Sequence, residues 1–83
     1  MTEQFRAQFD ALLEKYSELL LGSGEEELKE KVRYYALYTQ ISKTMPALVK
    51  HWNQIYPDSK QEMIQLIAEI KQLNDAHRNK SAE

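Results

Sequence analysis

The sequence predicts an all-α fold, a small antiparallel helical bundle of four helices. Three observations carry the prediction. Apolar residues recur at intervals of three and four over long runs, the spacing that places them on one helix face. The 83 residues include only two glycines and two prolines, so few sharp turns are on offer. Those four residues cluster at 22–24, 46 and 57, dividing the chain into segments of helical length. The expected helices span about 3–21, 25–43, 46–56 and 60–77, the third being short. They form one domain over 1–83, with 78–83 a frayed tail where the apolar pattern lapses.

The first helix begins with Thr2 as N-cap, its hydroxyl taking an otherwise unpaired backbone N–H. Phe5, Phe9, Leu12, Leu13, Tyr16, Leu19 and Leu20 follow on a single arc, with Arg6, Asp10, Glu14, Lys15 and Glu18 elsewhere. This helix is expected to pack on one side only. Gly22 ends it, because glycine takes the left-handed conformation without steric cost. Ser23 and Glu26 have capping-box spacing for the next helix, and Glu25–Lys29 and Glu27–Lys31 are acid-first i,i+4 pairs. The connection is short, so the first two helices should form an antiparallel hairpin.

The second helix has the widest apolar arc. Leu28, Val32 and Tyr35 share one stripe; Tyr34, Leu37, Tyr38, Ile41 and Met45 form a second about 120° away. Lys29, Glu30, Arg33, Gln40 and Lys43 are left for a polar side. Two stripes need two sets of neighbours. Pro46 breaks the helix, with Thr44 as the next N-cap; a single helix kinked at Pro46 is the alternative. Leu48, Val49, Trp52, Ile55 and Tyr56 make the arc of the third helix. Asp58–Gln61 and Ser59–Glu62 both have capping-box spacing for the fourth, whose inner face carries Met63, Leu66, Ile67, Ile70 and Leu73.

A chain this short buries only about 60–65% of the surface its unfolded form exposes. It has no cysteine, so disulfides and thiolate metal sites are out, leaving close packing and assembly. A homodimer is therefore expected, with the second stripe and Trp52 as candidate interface: Tyr34, Leu37, Tyr38, Ile41, Met45 and Trp52. Charged variants at Tyr38 or Ile41 should weaken it.

The remaining chemistry is largely negative. His51 and His77 have no His or Glu three or four residues away, so no metal or acid–base pair is expected. No serine lies in a glycine-flanked elbow, and Gly22-Ser23-Gly24 reads as a helix stop and start and not as a phosphate cradle. The chain is expected to be neither an enzyme nor a cofactor binder. The formal net charge of −2 with interspersed signs argues against nucleic acid and membrane surfaces. With no bilayer-length apolar run and no leader pattern at Met1–Gln4, the expected location is cytoplasmic. The leading functional expectation is a protein-interaction or regulatory bundle, possessing no identified partner beyond its own copy. The alternative is a helix-turn-helix-like DNA binder that presents Lys50, Asn53 and Gln54 on the helix at 46–56.

The segments FDALLEKYSELLLG (9–22) and MPALVKHWNQIYPDSKQEMIQLIAEIK (45–71) resemble the small YusU-like proteins of Bacillus and relatives, helical proteins without an assigned function. The resemblance covers most of the chain. It implies a cytoplasmic bacterial protein and transfers no site residues.

Overall fold

The computed structural model describes residues 1–81, with four helices and no strand among them. They are α1 (Glu3–Leu21), α2 (Glu26–Thr44), α3 (Pro46–Ile55) and α4 (Pro57–Ser81). Thr2 caps α1 as its sequence position requires, its Oγ1 accepting from the Phe5 N–H at 3.1 Å. Gly22 closes the helix at φ 85°, donating its N–H to the Glu18 carbonyl at 2.8 Å.

Helix α3 starts at Pro46 as expected, while the start and end of α2, the end of α3 and the start of α4 differ from the expected positions by one to three residues, each for a local reason. The capping box at Ser23 does not form. Ser23 Oγ accepts instead from the Glu25 N–H two residues on (3.3 Å), while Ser17 Oγ donates to the Ser23 carbonyl (2.8 Å). The Glu26 carboxylate turns to Lys29, and α2 starts at Glu26 without a side-chain cap. At the α2–α3 junction the chain breaks and does not kink. Met45 alone leaves helical geometry (φ −138°, ψ 66°), because a residue preceding proline is pushed out of the helical region. It serves as end of α2 and start of α3, while the Thr44 hydroxyl donates back to the Gln40 carbonyl instead of capping α3. The same device recurs eleven residues later. Tyr56, before Pro57, adopts φ −124° and ψ 70°, so α4 begins at Pro57 and Asp58 and Ser59 lie inside its first turn.

Helix α4 also continues past His77 through Ser81. Its C-terminal half is held by α1: Asn74 Nδ2 donates to the Leu20 carbonyl at 2.7 Å, and the His77 ring lies beside Gly22. Arg78 and Lys80 in the last turn suit the negative end of the helix dipole. The rest of the expected tail, residues 82–83, lies outside the described residues.

Contacts such as Asp10–Lys29 and Ser17–Ser23 climb one helix while descending the other, making α1 and α2 the expected antiparallel hairpin. Helix α2 touches the other three helices; α1 and α3 each touch α2 and α4 but not one another. The result is a plate of 40 × 39 × 21 Å, about two helices deep. Leu21, Val32 and Ile70 are its buried apolar centre, ringed by half-buried Leu13, Leu20, Leu28, Tyr35, Leu66 and Leu73. All nine belong to α1, α2 and α4. Helix α3 packs separately, on the second half of α2.

Candidate functional site

Two apolar surfaces and one charge cluster around a buried lysine stand out. The first surface holds the residues singled out from sequence, and the structure divides them. Tyr38, Ile41 and Trp52 are half-buried where α3 lies on α2. With Leu48 and Val49 they line a cleft of about 200 Å³. The Tyr38 and Trp52 rings meet edge-on with centroids 6.0 Å apart, a favoured aromatic geometry, and Trp52 stands 6.0 Å from Tyr56. The Tyr38 hydroxyl donates to Asn53 Oδ1 at 3.3 Å. Tyr34, Leu37 and Met45 remain outside, half or more exposed. The Tyr34 hydroxyl donates to the Glu30 carboxylate at 3.0 Å, which holds the phenol above its ordinary pKa. Exposed Leu48, Ile55 and Tyr56 extend the patch onto α3.

The second surface lies on α1, where the sequence arc splits in two. Leu13, Leu20 and Leu21 turn inward with buried Ser17. Phe5, Phe9, Leu12, Tyr16 and Leu19 turn outward, between 43 and 69% exposed. Their spacing is four, three, four, three, that of a coiled-coil seam. Phe5 and Phe9 stack with ring centroids 6.1 Å apart. Together with Met1, Arg6, Ala7, Asp10, Leu13 and Arg33 they line an open groove of about 780 Å³. The regular spacing was present in the sequence, but read as a single arc it was expected to face inward as a whole, whereas only its Leu13–Leu20 edge does.

The charge cluster contains the expected Glu27–Lys31 pair, but its contacts to α1 and α4 have no signal in the sequence. Lys29, placed on the polar side of α2 by sequence, is only 3% exposed. Helix α1 crosses over it, and its ammonium donates to Asp10 at 2.8 Å and Glu26 at 2.7 Å. The expected partner Glu25 is not used. Two residues on, and on the other side of α2, Lys31 donates to both oxygens of Glu69 on α4 at 2.9 and 3.0 Å, with Glu27 more distant at 3.7 Å. Two lysines of α2 thus tie down α1 and α4. Hydrogen bonds to Asp10 and then Glu26 raise the Lys29 pKa, and the bond to Glu69 raises that of Lys31.

His51 is exposed and His77 half-buried. Among the described residues, no three His, Asp or Glu side chains converge to hold a metal ion. No described helix is long and apolar enough to cross a membrane.

A four-helix plate with a three-residue apolar centre defines the class: a small all-α bundle with uncovered helix faces. Residues 3–80 match the sequence profile of DUF2573, described as a protein of unknown function, and the chain belongs to that family. It is similar to the uncharacterized protein YusU of Bacillus subtilis (strain 168), 56% identical over 80 residues, which cover 96% of this chain and 84% of the relative. No solved structure matches it.

Proposed function

We propose that the chain is a small cytoplasmic protein-interaction or regulatory bundle that works as a homodimer, by binding and not by catalysis. The observation that carries this reading is the mismatch between its interior and its surface. Leu21, Val32 and Ile70 are the buried apolar residues, while Phe9, Leu12, Leu19, Leu37, Met45 and Leu48 are each more than half exposed. Scattered exposed leucines are ordinary on any protein; contiguous apolar stripes on two helix faces favour partners. The aromatic patch of α2 and α3, where Tyr34 and Trp52 share a cleft with Met63 and Leu66 of α4, has the amphipathic composition that suits recognition of another protein.

The helix-turn-helix reading has less behind it. Asn53, one of the three residues expected to face outward, is half-buried and engaged by the Tyr38 hydroxyl. The formal net charge of −2 also opposes phosphate binding.

Light scattering coupled to size exclusion, at tens of micromolar protein, tests the proposal. A mass of twice 9.8 kDa is expected. A clean monomer throughout would remove its main support.

A further inference from the structure

We infer that the outward stripe of α1, Phe5-Phe9-Leu12-Tyr16-Leu19, is the seam along which a second copy of this chain docks. The inference rests on the homodimer reading above and moves its interface from the α2–α3 patch to α1.

Surface area argues for an occupant. The protomer exposes 6618 Å², whereas a folded monomer of 9.8 kDa is expected to expose about 5,200 Å². The excess, about 1,400 Å², exceeds the roughly 800 Å² that each partner buries in a standard stable interface. The radius of gyration agrees: 14.6 Å, against about 12 Å for a compact domain of this length. A plate two helices deep has room for a second plate against it.

Spacing argues for which face and which occupant. The five α1 positions repeat at the coiled-coil interval over 14 residues, or about 21 Å of helix. With about 200 Å² for each large side chain, exposures of 43–69% supply roughly 550 Å² before flanking residues are counted. The α2–α3 patch has the same spacing, but Tyr38, Ile41 and Trp52 are half-buried where α3 lies on α2 and the helix breaks at Met45, so no continuous exposed seam runs along it. The stripe carries no charge to repel its own copy, so the same stripe on a second copy meets it about a two-fold axis. Two heptads are too short to associate as free helices. Here α1 is already held by its own bundle through Leu13, Ser17, Leu20 and Lys29, and associating costs no helix formation. The groove beside Phe5 and Phe9 receives the partner's side chains.

Sedimentation equilibrium on the full chain decides the matter, using Leu12→Glu and Leu19→Glu on α1 and Leu37→Glu and Met45→Glu on the other patch. All four residues are at least 60% exposed, and circular dichroism at each concentration reports whether helicity is kept. The wild type should dimerise. The α1 variants should weaken self-association roughly 30-fold or more, as loss of a hot-spot residue does, and the α2–α3 variants should leave it nearly unchanged. As a second measurement on the unmodified chain, amide shifts on dilution should concentrate between residues 5 and 19. A wild-type dimer that survives the α1 changes but not the α2–α3 changes would overturn this inference and leave the homodimer reading standing. A monomeric wild type would overturn both, even if α1 captured an unrelated helix.

Discussion

The packing centre of the plate makes a quantitative prediction at Ile70. Its side chain is 1% exposed and meets Leu21 and Val32 where α1, α2 and α4 converge. Ile70→Ala deletes three carbons, worth about 2.4 kcal/mol at about 0.8 kcal/mol each. A cavity that fails to collapse adds to this, at about 24 cal/mol per Å³, so the expected loss is about 3–4 kcal/mol. A fold of 83 residues has a total stability of about 4–12 kcal/mol at typical per-residue values, so the variant loses a large fraction of it. The melting temperature should drop by about 12–32 °C, at about 4–8 °C per kcal/mol for a domain of this size. Urea denaturation followed by helical circular dichroism measures it, at one fixed protein concentration because self-association shifts the midpoint. Ile64→Ala on the same helix, half exposed, should cost about 1 kcal/mol or less and serves as the comparison. If Ile70→Ala cost under about 1 kcal/mol, or no more than Ile64→Ala, the assignment of the core would be wrong.

Two further predictions concern the hairpin and its charges. Gly22→Ala should destabilise the chain by about 1–2 kcal/mol, because φ is 85° there and an added Cβ would stand 2.8 Å from His77 Nδ1; thermal melts check it, and an unchanged midpoint would refute the strained cap. Stability should fall as the solution is made alkaline. The Lys29 and Lys31 pKa values are raised in the folded state above 10.5, so their contribution is fully present below that value and is lost as pH climbs through the raised folded values. Tyr34, raised above 10.0 by Glu30, acts in the same direction. Urea midpoints measured on both sides of this window should therefore decline, and the decline should be smaller in a Lys29→Met, Lys31→Met double variant; a flat or rising profile would contradict the assignment.

Local chemistry made most of the fold legible in the sequence. Thr2 and Gly22 bound α1, and the two prolines divide the rest, because capping and the loss of a backbone donor act within a few residues and need no partner. The same locality misassigned the caps at Ser23, Thr44 and Asp58. Each has a side chain able to cap, and only the competing hydrogen bonds of Ser17, Gln40 and Glu26, or the pre-proline geometry of Met45 and Tyr56, show where the helix starts.

The candidate surfaces divide along the same line. Periodicity established that α2 has two apolar stripes; its neighbours cover Leu28, Val32 and Tyr35 of the first, but of the second only Tyr38 and Ile41, leaving Tyr34, Leu37 and Met45 exposed. Periodicity could not say which half of the α1 arc faces inward, because Leu13 and Leu12 are adjacent and equally apolar. The crossing of α1 over α2 made that choice, burying Lys29 beside Asp10 and leaving Phe5, Phe9, Leu12, Tyr16 and Leu19 outside. The sequence by itself determined that this protein is helical, where its helices break and which residues are apolar enough to need cover. Only the tertiary structure decided which of them receive it, since cover depends on how helices distant in sequence cross and not on any residue's own preference.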